Sequence, residues 1–284
     1  MPGQDRRGDP TGESRGGAGI AIEPVTIGPV ILELNATVAT VTLDRPDNGN
    51  RIDAEMADAL REVCRMIAEV DRLRLLVLTA NGSVFSIDEE NETAGRPVKR
   101  SDAPGKPGAP AGAPAVAGLA IPVLVALNGD ATGSGLELAL AGDLRICVPS
   151  ARFGFPGLAR GILPQDGGTQ RLPRLVGPAW ARDMLLTGRM VDAAEALAIG
   201  LVNRVTEDPG QLTAAVDELA AQITGGSPIG ARYAKEAVGK GMDLSLDQGL
   251  RLEADLNVIL QSTSDRAEGI KSFLEKRGPK YSGS

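Results

Sequence analysis

The stretch Pro122-Val-Leu-Val-Ala-Leu-Asn-Gly-Asp-Ala-Thr-Gly133-Ser134-Gly135-Leu136-Glu137-Leu-Ala-Leu-Ala-Gly142-Asp143 decides how this chain is read. Val123 to Leu127 is an unbroken apolar run, the pattern of a strand covered on both faces. Asn128-Gly129 ends it, and Ser134 to Ala141 then takes up helical spacing before Asp143 to Cys147 returns as another strand. A strand that feeds a Gly-Ser-Gly turn and then a helix lets the backbone run close to a ligand. It also points the free N–H groups of the first helical turn at that ligand, where they can stabilise an oxyanion. Glu137 follows within that turn. It reads equally as a general acid or base and as a carboxylate that merely favours the positive helix end.

Toward the N-terminus, Val30 to Leu34 and Val38 to Leu43 form two β-rich runs around Asn35-Ala36-Thr37, a hairpin followed by the turn signal Pro46-Asp47-Asn48-Gly49. From Asp53, placed to cap a first turn, Met56, Leu60, Val63, Ile67 and Val70 recur at helical spacing, and Leu73 to Leu78 reads as a buried strand. Residues 1–22 combine Gly, Pro and charge with little to bury and are expected to form a disordered extension. In Ser101 to Gly118, 14 of 18 residues are Ala, Pro or Gly, so a mobile loop without helix or buried face is expected over about 93–118. Beyond Pro164 the strand signal survives only at Leu201 to Val205. Helices are expected over Gln211–Ile223, Ile229–Val238, Leu246–Leu260 and Asp265–Lys276. The division is thus an extension (1–22), an α/β core (23–210) and a helical C-terminal region (211–284). With no Walker motif and no GxGxxG after a strand, a nucleotide-binding Rossmann domain is disfavoured.

Composition narrows the chemistry. The chain has 284 residues and no histidine, which removes every Ser-His-Asp triad, Cys-His dyad, imidazole metal ligand and imidazole acid/base. Catalysis falls to carboxylates, Lys, Tyr, Cys and backbone dipoles. Cys64 and Cys147 sit on apolar patterns and read as small buried hydrophobes, so no metal site is expected. Aromatics make up 2% of the chain and the net charge is −7, a poor basis for stacking on or attracting nucleic acid. No apolar run is long enough for a membrane span, and the polar N-terminus does not read as a signal peptide, so the expected compartment is the cytoplasm.

The Asn-Gly, Gly-x-Gly and Glu-Leu-Ala series of the opening stretch resembles the signature of the enoyl-CoA hydratase/isomerase (crotonase) superfamily. Further blocks resemble the family in order and spacing. They include Leu43-Asp-Arg-Pro46 with Asn50, Val84-Phe85-Ser86, Arg152-Phe153-Gly154, Gly161-Ile-Leu-Pro164 with Gly167-Gly168, Leu186-Thr187-Gly188, and Ser264-Asp265 with Phe273-Leu274-Glu275-Lys276. The resemblance runs from about residue 25 to 282. It implies a spiral of ββα units with a C-terminal helical region that drives trimer assembly, as a homo-trimer or a dimer of trimers. It also implies an acyl-CoA thioester as substrate and no prosthetic group. The family polarises the thioester carbonyl with two backbone N–H groups, which carry over to Glu89 and Ser134; one such donor can be worth about 2.7–4 kcal/mol.

Two departures stand out. The first amide lies in Ser86-Ile87-Asp88-Glu89-Glu90, where Asp88 replaces the usual glycine. Of the two family glutamates, one carries over to Glu137 and the other falls on Gly157, which has no side chain to act. Asp166 is the nearest replacement by sequence, although the family's loop aspartate aligns with Gln165; its other reading is a turn residue that starts a helix. Glu89 and Glu90 are further candidates. The resemblance implies CoA contacts at Asn50 and Arg51 and, from a neighbouring subunit, at Lys271, Phe273 and Lys276. Phe273 also reads as a core anchor for its helix. Hydration of a 2-enoyl-CoA is the default reaction, with isomerisation, hydrolysis or ring chemistry as alternatives. A catalytically silent acyl-CoA-binding protein is the alternative from another class.

Overall fold

The computed structural model describes residues 22–88 and 112–284. The expected extension up to residue 21, Glu89, Glu90 and most of the expected loop lie outside the described residues.

Among the described residues, the main sheet has seven strands. The hairpin β2 (Val30–Asn35) and β3 (Val38–Leu43) pairs antiparallel, and β1 (Ile22–Ile27), which no sequence pattern marks, adds to its outer edge. From β3 onward the pairing is parallel: β4 (Leu75–Ala80), β5 (Val123–Leu127), β7 (Leu144–Cys147) and β10 (Arg204–Val205). Parallel neighbours need crossovers, and these carry the helices. Helix α1 (Ala54–Ala68) links β3 to β4, α2 (Gly112–Ala117) precedes β5, and α3 (Ser134–Leu140) links β5 to β7. A second sheet joins β6 (Ala131–Thr132) and β8 (Arg152–Gly154), which follow β5 and β7 directly, to β9 (Met190–Asp192) from further along the chain.

The core is aliphatic, as the aromatic shortage dictates. Strand β5 is buried at all five positions, and Phe85 and Phe153 are the aromatic side chains with no exposed surface. Cys64 and Cys147 are buried free thiols, pushed up to about 12 by that burial, which matches their reading as small hydrophobes.

Several expectations need correcting. Residues 112–117 are helical, with Gly112, Ala113 and Val116 buried, although their composition argued for a loop. Pro114 sits in the first turn, where its missing N–H is no loss, and packing against α1 and α3 supplies what propensity does not. The strand expected at Leu73 begins at Leu75, because Leu73 closes a turn onto Val70 while its side chain is wholly buried. Of Leu201 to Val205 only the last two residues are strand; the amides of Leu201 and Val202 turn back to the Ala196 carbonyl. The helical stretch α4 (Gly168–Thr187) is anticipated only in the reading of Asp166 as a turn residue that starts a helix. It breaks at Gly177, which has non-helical φ/ψ, and restarts at Pro178.

After α5 (Ala193–Ala198), the chain ends in α6 (Leu212–Thr224), α7 (Pro228–Gly241), α8 (Leu246–Gln261) and α9 (Ser264–Leu274), close to the expected bounds. Helix α6 buries Leu212, Val216, Leu219 and Ala220 against the sheet. The last three helices instead expose large apolar side chains, among them Val238, Leu246, Leu250 and Val258. Phe273 is 83% exposed, which overturns its reading as a core anchor.

Candidate functional site

Two bends at the C-terminal end of the sheet meet. One follows β4 and runs through Phe85 to Asp88; the other is Ala131 to Gly135, between β5 and α3. Ser86 bridges to Ala131, the Thr132 N–H donates to the Ser86 carbonyl at 3.0 Å, and the Ser86 hydroxyl donates to the Asn50 carbonyl at 2.8 Å. Gly133 turns the second bend with φ +52, a conformation that a residue with a Cβ adopts at a cost. The amide of the next residue, Ser134, faces the first bend, where it donates to the Asp88 Oδ2 at 2.9 Å. Nothing in the sequence pattern gives this contact, since its partners stand 46 residues apart.

Glu137, one turn into α3, is 2% exposed, and its carboxylate reaches the loop that opens α4. Its Oε1 accepts the N–H groups of Asp166 and Gly168, both at 2.7 Å, while Oε2, among the described residues, accepts only from the Gln165 N–H, at 3.4 Å. Gly167, at φ +109, makes the bend that lets the amides on either side of it converge on one oxygen. Burial is the largest influence on Glu137 and raises its pKa. The three amides oppose it, the nearby Asp166 charge reinforces it, and the balance lies above the ordinary carboxylate value. The arrangement is that of a fixed carboxylate with one oxygen saturated and the other poised to take or give a proton.

Asp166 adjoins Glu137 through its backbone, but its side chain turns toward α2. Its Oδ2 accepts the Ala113 N–H at 3.0 Å, and its Oδ1 is buried without a hydrogen-bond partner among the described residues. It therefore caps α2, not the helix that follows it, where Gly167 holds the N-cap position. Burial raises the Asp166 pKa against the lowering influence of Ala113 N–H and Arg171.

The other expected residues are dispersed. Gly157 lies in the short turn Pro156–Arg160, where a Cβ would stand 3.3 Å from that of Ile162. Asn50 is completely buried: its amide donates to the carbonyls of Asn81 and Val84, and its oxygen accepts the Arg45 N–H. Its side chain is thus a strut of the loop, while the adjacent Arg51 is exposed. Lys271, Phe273 and Lys276 are exposed on and just beyond α9. Glu89 lies outside the described residues.

A model of the enoyl-CoA hydratase/isomerase family matches residues 33–284. The chain is 37% identical over 261 residues to the (E)-benzylidenesuccinyl-CoA hydratase of Thauera aromatica, a match covering 90% of this chain and 99% of that protein. It is 34% identical over 267 residues to the short-chain-enoyl-CoA hydratase of Clostridium acetobutylicum, covering 87% and 95%. The crystal structure of an enoyl-CoA hydratase from Bacillus anthracis superposes with a TM-score of 0.80 at 32% identity, covering 90% of this chain and all of that one. The fold is thus the crotonase fold, and no helix among the described residues is long and apolar enough to cross a membrane.

Proposed function

Since the chain belongs to the enoyl-CoA hydratase/isomerase family, we propose that it binds an acyl-CoA thioester, polarises the carbonyl through the Ser134 amide and moves a proton with Glu137. The observation that carries this reading is the Glu137 carboxylate, buried, held by three amides and raised in pKa. An enolate oxygen gathers negative charge only as reaction proceeds, so a fixed N–H donor there favours the transition state over the bound substrate. The Glu89 amide is the second donor in this reading.

Hydration of a 2-enoyl-CoA is the default reaction. A water oxygen bonds to the β-carbon, Glu137 takes the proton that water loses, and the electron pair of the double bond moves to the thioester as an enolate. A proton delivered to the α-carbon then restores the carbonyl. Asp166 is the candidate for that second proton, in place of the missing carboxylate at Gly157. Isomerisation, which needs one base to carry a proton between carbons, is the alternative. Arg51, with Lys271, Phe273 and Lys276 of a neighbouring subunit, supplies cations and a ring for the phosphates and adenine of CoA. Asn50 serves by fixing the Arg51 loop. The subunits form a trimer or a dimer of trimers.

Gly157 also favours a second reading, a binder of acyl-CoA without turnover. Incubation with crotonyl-CoA and longer 2-enoyl-CoAs, with products weighed by mass spectrometry, separates these readings. A product heavier by one water supports hydration, unchanged mass with a shifted double bond supports isomerisation, and release of free CoA supports hydrolysis. Tight binding with no product on the whole panel would transfer support to the silent binder. Turnover by Asp166→Asn at the wild-type rate would remove Asp166 from the chemistry.

A further inference from the structure

We propose that Asp88 is an internal ligand of the site: its carboxylate holds the place on the Ser134 amide that a thioester carbonyl would take, and so sets the affinity of the protein for thioesters. The inference rests on the reading of Ser134 given above. Asp88 Oδ2 accepts the Ser134 N–H at 2.9 Å and lies 3.5 Å from the Ser134 hydroxyl, while the Asp88 N–H donates to Thr132 Oγ1 at 3.3 Å. The carboxylate fits because Gly133 has no side chain; a Cβ built there would overlap it. Gly133 thus leaves a space beside the amide, and the chain fills that space with its own anion.

One N–H cannot serve two oxygens at full strength, so a carbonyl oxygen reaches the Ser134 amide only when the Asp88 side chain withdraws. A carboxylate is a stronger acceptor than a neutral carbonyl. The apparent affinity is therefore the intrinsic one multiplied by the fraction of molecules in which Asp88 has withdrawn. Free coenzyme A has a thiol in place of the thioester carbonyl, and its binding is indifferent to whether the amide is occupied.

Calorimetric titration with butyryl-CoA, a saturated thioester that cannot be hydrated, and with free CoA tests this on wild type, Asp88→Ala and Asp88→Asn, each first checked for native circular dichroism. The expected result is about tenfold tighter butyryl-CoA binding by Asp88→Ala, the scale of one charge-assisted hydrogen bond partly replaced by water. A smaller gain is expected for Asp88→Asn, and no change for free CoA. Butyryl-CoA affinity unchanged or lowered in both variants overturns the proposal while leaving Ser134 its role. Equal tightening for both ligands also overturns it, because the effect would then be a general charge on the CoA phosphates. If no protein binds either ligand, the reading of Ser134 fails and this inference with it.

Discussion

At the scale of the residue, the role proposed for Glu137 rests on an imbalance between its two oxygens. Oε1 accepts two short amide contacts that anchor the group; Oε2 accepts a single long one among the described residues and is the basic end in the proposed chemistry. Burial raises the pKa of the group, and a base must be ionised to accept a proton. kcat/KM is therefore expected to fall as the pH drops through a value above the ordinary carboxylate range, and the residual activity of Glu137→Gln is expected to lack that limb. The sign for stability is the reverse. A raised folded-state pKa means the folded chain binds the proton more tightly than the unfolded chain. The corresponding stabilisation is fully present below the unfolded value and is lost as pH rises through the folded one. Across that window the Tm of wild type should decline relative to that of Glu137→Gln as pH rises; parallel Tm curves would contradict the raised value.

At the scale of the element, the site depends on bends that only glycine makes comfortably. Gly167→Ala forces a side chain into φ +109 and against Arg171, at a cost of about 1–2 kcal/mol or more. It also swings the Asp166 and Gly168 amides away from Glu137. The variant is expected to melt several degrees lower and to lose kcat more than substrate affinity; wild-type kcat would show that the amides do not matter. The elements themselves were legible where the pattern is local. The hairpin of two β-rich runs, the Asp53-capped α1, whose cap accepts the Met56 N–H at 3.0 Å, and the apolar β5 all follow from local composition and spacing. What spacing hides is decided by distant partners. Helix α2 forms on an Ala-Pro-Gly segment because it packs against α1 and α3 and because Asp166, 53 residues on, accepts its Ala113 N–H, and α4 conceals a break at Gly177 within one helical stretch. The site divides the same way: Glu137 and Ser134 stand in a readable motif, while the Asp88 contact and the nest of amides around Glu137 exist only once separate bends meet.

At the scale of the whole molecule, helices α7 to α9 present apolar side chains that are exposed among the described residues, Leu246 and Val258 among them. Faces of this kind mark association surfaces, and the proposed trimer is the natural occupant. Sedimentation is expected to give a mass of three or six chains, and Leu246→Glu with Val258→Glu a smaller species with little loss of monomer fold; a monomeric wild type would contradict that assembly. Assembly would also bring the exposed Lys271, Phe273 and Lys276 to a neighbour's CoA, so the same variant should weaken thioester binding. The most direct test of the proposed chemistry is the kcat of Glu137→Gln on the best 2-enoyl-CoA, followed by loss of the conjugated thioester absorbance. A proton carrier in this position predicts a fall of about 10²–10⁴-fold with butyryl-CoA affinity nearly unchanged. A kcat equal to that of wild type would contradict it.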